Sequence, residues 1–425
     1  MTDTPHIQFA DVTARPILDS RGYPTVEVRA TLADGTRVIA AAPAGASTGE
    51  HEAVELRDHG RAYSGRGVHA AVSAVNGEIA GLLTRRSWER LADVDAALAE
   101  LDGTGGYARL GANAVVAVSI AATRAFAHTA GLELHRWIAV QTNSPQRLPV
   151  PHFNVLNGGA HAANALDFQE FMIAPVGAAT EEDAVQTGAE IYHALAGLIR
   201  GQFGSAGLGD EGGFAPQLED PRMALDLLME AITTAGHTPG IDQVAIALDP
   251  AANGFRLGDG RYRVNGLELG RNELVDYYLD LIDAYPIRSL EDGFAEDDPE
   301  GWVAVAHAVQ GRVQLVGDDL YVTDPARIRD GAEHGYSDAV LIKPNQIGTV
   351  TETLDAITTA RERGMACMVS HRSGETVDTF IADLVVGTGV GQIKSGAPAR
   401  GERVAKYNRL TEIELDDPAL PYGLA

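Results

Sequence analysis

Between residues 25 and 32 apolar and polar side chains alternate, placing Val26, Val28, Ala30 and Leu32 on one face. That is the period of a half-buried strand. Asp34-Gly35 offers a tight turn into a second run at 36–40, so the pair predicts a hairpin. From about 68 to 130 the pattern becomes helical and alanine-rich. Strands followed by helices predict an α+β unit. The polar stretch 141–151 carries Pro145, Pro149 and Pro151 and reads as a boundary. It divides the chain into an N-terminal unit at 1–138 and a second unit at 146–425.

Beyond that boundary the rhythm changes. Short β-rich apolar runs at 244–249, 287–291, 313–318, 339–343, 366–371 and 391–394 each end in a charged or ionisable residue. Those end residues are Asp249, Glu291, Asp318, Lys343, His371 and Lys394, and helical patterns fill the gaps between them. Strand then helix at this period predicts a parallel sheet with right-handed crossovers. Six such units favour an α/β barrel of the (β/α)8 type over an open sheet. In that architecture active sites sit at the carboxyl ends of the strands.

Composition narrows the functions available. The 425 residues include 33 Lys and Arg against 59 Asp and Glu, a formal charge of −26. A surface so acidic argues against nucleic acid and against an anionic membrane as partners. Cys367 is the single cysteine, which excludes an intrachain disulfide and a multi-cysteine metal site and fits a reducing cytoplasm. The first eleven residues lack the basic and apolar runs of a signal peptide, so none is expected. The apolar stretch 112–130 contains Asn113, Arg124 and His128 and is expected to be a packed helix.

The strand ends carry the candidate chemistry. Asp249, Glu291 and Asp318 would bring three carboxylates to one barrel mouth, where their repulsion is relieved by a hard divalent cation. All-oxygen ligation points to Mg2+. Any one of the three alone would serve as well as a helix cap. Lys343 is a candidate base and Lys394 a fixed cation for an anionic substrate group, although either could simply pair with a carboxylate. Arg372 and Ser373, in the run 370–376, could grip a phosphate. Two acids sit among glycines at 209–213, and small-residue loops occur at 43–49 and at 157–162, the latter containing His161. Each of these alone could be an ordinary turn, linker or surface loop.

Together these residues resemble the enolase family. The motifs are Gly-Ala-Ser-Thr-Gly at 45–49, Gln-Glu-Phe-Met-Ile at 169–173, Gly-Asp-Glu-Gly-Gly-Phe-Ala-Pro at 209–216, Lys-Pro-Asn-Gln-Ile-Gly at 343–348 and Ser-His-Arg-Ser-Gly-Glu-Thr at 370–376. The likeness runs from residue 14 to residue 408. It implies an N-terminal α+β capping unit on a modified (β/α)8 barrel whose first strands depart from simple alternation. It also implies a reversible dehydration of 2-phosphoglycerate to phosphoenolpyruvate with two Mg2+ per site, the second arriving with substrate. Enolase-superfamily enzymes pair a Lys or His base with Mg2+ at an enediolate. By the resemblance, Asp249, Glu291 and Asp318 hold the first ion and Ser47 of the lid binds the second. Lys343 is the base, and Glu211 with Glu170 forms the acid side. His161 closes over the substrate, His371 belongs to the substrate-binding set, Arg372 and Ser373 meet the phosphate, and Lys394 meets the carboxylate. A homodimer or larger homo-oligomer is implied by analogy.

Some positions depart from the family's usual residues: Tyr23, Pro250, the run 251–255 and His152-Phe153. They leave open a paralogue acting on a related phospho- or phosphono-carboxylate, of the carboxyphosphonoenolpyruvate synthase type. A non-catalytic binding protein would have lost the base or a metal ligand, and none is lost.

Overall fold

The computed structural model describes residues 6–46, 49–205 and 207–425. Ser47 lies outside the described residues. The chain opens with an antiparallel meander of β1 (Phe9–Leu18), β2 (Pro24–Leu32) and β3 (Arg37–Ala41). Val26, Val28, Ala30 and Leu32 are all buried, as the alternation requires. The helix Ala112–Thr129 covers that face, and its alanines let the backbone approach the sheet closely. Among the described residues no single helix is long and apolar enough to cross a membrane.

Eight strands then close into a barrel: β4 (Val150–Asn157), β5 (Glu170–Pro175), β6 (Val244–Asp249), β7 (Ile287–Glu291), β8 (Gln314–Gly317), β9 (Ala339–Ile342), β10 (Ala366–Ser370) and β11 (Gln392–Lys394). They pair in chain order, and β11 returns to β4. All neighbours are parallel except at β5, which runs antiparallel to both β4 and β6. The purely parallel expectation fails there for a local reason. Residues 158–169 join β4 to β5 with no α-helix to carry the chain across, and a link of that kind favours turning it back. Two helices, Glu181–Phe203 and Pro221–Thr234, then follow one another before β6.

The helix starts explain part of the regularity. Asp220, Asp298 and Asp324 each accept a hydrogen bond from a first-turn backbone N–H, and each precedes a proline at the first helical position. Aspartate supplies the missing acceptor, and proline lacks the N–H that would have gone unpaired.

The N-terminal unit docks on the barrel through one helix start. Asp95 Oδ2 accepts from the backbone N–H of Thr351 at 3.1 Å, and Ser119 Oγ accepts from that of Val350 at 2.9 Å. Two residues of one unit thereby cap the helix Val350–Glu362 of the other. Arg124 fastens a second point with a forked pair to Asp378, both contacts at 2.7 Å. Burial pushes the Asp95 carboxyl up to about 6, despite the Thr351 hydrogen bonds that oppose the shift. The folded chain therefore holds this proton to higher pH than the unfolded chain does. The contribution, on the order of 3 kcal/mol, is full below about pH 4 and is lost as pH rises through about 6. Asp95→Asn should shrink the drop in melting temperature between about pH 5 and about pH 7.5, measured by calorimetry beside the parent protein.

Candidate active site

Asp249, Glu291 and Lys394 are the last residues of β6, β7 and β11, and Asp318, Lys343 and His371 follow directly on β8, β9 and β10. The barrel brings all six to its carboxyl end, where Asp249, Asp318, Lys343, His371 and Lys394 line a cavity of about 30 Å³. Lys394 Nζ donates to Glu291 Oε1 at 2.7 Å and Asp249 Oδ2 at 3.1 Å, and lies 3.3 Å from Glu170 Oε2. Lys343 Nζ donates to Asp318 Oδ2, whose other oxygen accepts from Gln346 Nε2 at 2.9 Å. None of the three strand-end carboxylates caps a barrel helix. Thr180, Asp220, Asp298, Asp324 and Thr349 do that work instead.

The site is overstocked with negative charge. Burial, then Asp249, pushes the Glu291 carboxyl well above its usual range, and Lys394 only partly offsets this. Burial would raise Asp318 too, but Lys343 holds it below its ordinary value. Glu291 Oε2 is buried and has no hydrogen-bond partner among the described residues. Buried carboxylates with an orphaned oxygen are the donor set a hard divalent cation requires. The residues present therefore fit such an ion. As they stand, the tightest acidic groupings, with ligand atoms within 4.8 Å of one another, are His161 with Glu170 and Glu211, and Asp292 with Asp318 and Asp319. Asp249, Glu291 and Asp318 do not form such a group; Lys394 sits among the first two of them.

Asp292, next to Glu291, has a supporting position. Its two oxygens accept the backbone N–H groups of Asp318 at 2.9 Å and Asp319 at 3.0 Å. It thereby fixes the backbone that carries the Asp318 carboxylate.

Across the cavity Glu211 stands on the glycine-rich turn at 209–213. A Cβ on Gly209 or Gly213 would come within 2.6 or 2.4 Å of Asn157 Oδ1, so the turn can pack there only with glycine. Asn154 Nδ2 donates to Glu211 Oε2 at 2.9 Å, and His371 Nε2 lies 3.1 Å from the same oxygen. Arg403 Nη1 lies 2.6 Å from His371 Nδ1. A guanidinium can only donate, so Nδ1 is the acceptor and the ring proton resides on Nε2, toward Glu211. Burial pulls His371 down to about 4, which keeps the ring neutral.

Two neighbouring carboxyls are driven apart. Burial would raise Glu211, but His371, His161 and Arg403 hold it well below its usual range. Burial and the Glu211 charge push Glu170 well above its own. These surroundings favour a proton on Glu170 and an ionised Glu211. His161 Nδ1 stands between them, 3.6 Å from Glu170 and 3.7 Å from Glu211. Environments that split a pair in this way assign acid and base roles.

At the third corner Arg372 makes a forked pair with Glu52 at 2.9 and 3.1 Å and reaches Asn345 at 3.1 Å. Ser373 Oγ accepts from Ala46 N at 2.8 Å, beside the small-residue loop. The fully buried Arg403 ties the corner together by donating to the carbonyls of Arg372, Ser373 and Asp210. Sequence reasoning missed Glu52, Asn154, Asp292, Gln346 and Arg403. Only Gln346 stood inside a motif. Glu52 follows the lid motif by three residues and had no partner visible along the chain.

The departures lie outside the cavity. Tyr23 stacks under the Arg66 guanidinium, 4.2 Å from its ring centre. Pro250 lines a wider vestibule of about 940 Å³. His152 is buried beside Lys394 as its register partner, and burial pulls it down to about 4.

A closed barrel under a capping unit, its mouth furnished with buried acids, bases and lysines, defines an acid–base enzyme of the barrel class. The family description "Enolase, N-terminal domain" matches residues 9–138, and "Enolase, C-terminal TIM barrel domain" matches residues 145–419. The enolase of Mycobacteroides abscessus is 53% identical over 403 residues, covering 95% of this chain and 93% of that one. The chain belongs to the enolase family, and its class of activity is that of an enolase-type carbon–oxygen lyase.

Proposed function

We propose that the protein catalyses the reversible, Mg2+-dependent dehydration of 2-phospho-D-glycerate to phosphoenolpyruvate in the cytoplasm, as a homodimer or larger homo-oligomer. The observation that carries the reading is that Lys343 and the split pair Glu170 and Glu211 line one small cavity, where a base and an acid could act on one substrate. The departures from the family pattern leave the cavity lining untouched, which supports the ordinary substrate over an altered one.

Lys343 removes the proton beside the substrate carboxylate. Burial lowers its basicity threshold, yet Asp318 outweighs burial and holds the ammonium above its ordinary value. Lys343 can therefore act as a base only when the Asp318 charge is engaged elsewhere. Mg2+ held by Asp249, Glu291 and Asp318, with a second ion at Ser47, would take up that charge and stabilise the enediolate. Lys394 orients the carboxylate end. Glu170 and Glu211, with His161 between them, deliver a proton to the departing hydroxide at the far carbon. Arg372 and Ser373, beside His371, hold the phosphate, whose arrival displaces the Glu52 carboxylate from the guanidinium. Purified protein given 2-phosphoglycerate and Mg2+ should develop the absorbance of phosphoenolpyruvate and should stop when the ion is chelated. Absence of that signal at saturating Mg2+ would refute the assignment.

Asp292→Asn tests the cation half of the reading. Asparagine offers one acceptor where two backbone N–H groups need partners, so the Asp318 carboxylate loses its fixed orientation. Mg2+ affinity should fall roughly 10- to 100-fold by calorimetric titration, with little change in melting temperature of the ion-free protein.

A further inference from the structure

The end of the barrel opposite the mouth contains a second cavity, of about 320 Å³. That volume falls at the lower end of small-molecule pockets. Its polar lining comes from the opening residues of strands: Arg288 of β7, Gln314 of β8 and Gln392 of β11. Arg361 reaches in from the last turn of the helix Val350–Glu362. Two guanidinium groups and two side-chain amides thus face one space; no Asp or Glu side chain lines it, although Ala425 brings a main-chain carboxylate to its wall. In a chain with 59 acidic residues against 33 basic ones, that is a local reversal of sign.

The two arginines are not fully spent on structure. Arg361 donates to Ser144 Oγ at 2.7 Å and to the Thr388 carbonyl, which leaves three of its five N–H groups. Arg288 is partly buried and has no hydrogen bond or ion pair among the described residues. It also stands where the register of β7 against β6 slips by one residue. Such bulges redirect a side chain that a regular strand would point elsewhere. Arg288, drawn partly out of water with no side chain among the described residues paired to it, carries a desolvation cost, and an anion held in the forked geometry between it and Arg361 relieves that cost.

We propose that this cavity is a binding site for a small oxyanion, a carboxylate or phosphate compound, separate from the active site. Arg288 and Arg361 supply the charge and the two glutamine amides supply further donors. The mouth is a different place: Arg288 precedes Glu291 by three residues along β7, roughly 10 Å of strand.

The test titrates inorganic phosphate and, separately, succinate at constant ionic strength by calorimetry. In an Arg372→Gln background, which lacks the phosphate contact of the mouth, one equivalent of at least one anion should still bind. Adding Arg288→Gln should weaken that binding at least tenfold, and Arg288→Lys should restore part of it. In the parent chain the same step should appear as the loss of one class of site. Arg288→Gln alone should leave melting temperature and turnover within about twofold of the parent's rate, so lost binding is not lost fold. Absence of binding to the Arg372→Gln protein, with no second class of site in the parent, would overturn the proposal. Binding that survives both Arg288→Gln and Arg361→Gln would overturn it equally.

Discussion

Lys343→Ala lowers turnover of 2-phosphoglycerate by roughly a hundred- to ten-thousand-fold, the range general-base removal gives, and also abolishes exchange of the substrate's C2 proton with solvent. Both losses are required if one side chain takes that proton. The ammonium is the Asp318 Oδ2 partner, so its deletion leaves Gln346 as that carboxylate's remaining side-chain hydrogen-bond donor among the described residues. Mg2+ affinity should therefore be preserved or increased, because a competing cation has left the site. The expected pattern is a dead enzyme that still titrates with Mg2+. A variant that lost Mg2+ and activity together would point to a structural role for Lys343. One that kept C2 exchange would place the base elsewhere. Lys343→Arg does not rescue, because a guanidinium remains charged at every working pH.

How much of this was readable along the chain depends on how local each signal is. The six strands from β6 to β11 were visible because each is a short apolar run with one ionisable residue at its end. The strands β4 and β5 were not. Every residue of both is buried, so neither shows an alternation, and β4 includes Pro151, His152, Asn154 and Asn157 in place of a clean apolar run. Their antiparallel pairing depends on the loop that holds His161, whose Asn157-Gly158-Gly159 marks a turn without saying which strands it joins. The charged strand ends were legible as a set because a barrel gathers them whatever the details. Their partners were not. Glu52 and Arg372 are 320 residues apart along the chain, and the Arg403–His371–Glu211 chain draws on a helix and two separate loops. Asn154 and Asp292 were invisible for another reason: a polar residue in or beside a buried strand is chemically unremarkable until its acceptor is located.

Glu211→Gln separates the second half of the reaction from the first. Turnover should fall by roughly a hundred- to ten-thousand-fold, while exchange of the C2 proton continues, because Lys343 lies across the cavity and keeps its own surroundings. The argument rests on how the two acids are held apart. Glu211 is kept ionised by His371, His161 and Arg403, and its charge is the largest neighbouring influence that keeps Glu170 protonated. Glutamine at 211 removes that charge, so the Glu170 carboxyl drops toward its ordinary range and gives up the proton that the departing hydroxide needs. Burial still favours the neutral form of Glu170, which leaves the residual activity shifted toward lower pH rather than erased. Asp at 211 keeps the charge but shortens the reach to Asn154 and His371, and should retain more of the pH profile than of the rate. Equal loss of exchange and turnover in Glu211→Gln would contradict a stepwise division of labour, and an unchanged acid limb would contradict the coupling between the two carboxyls.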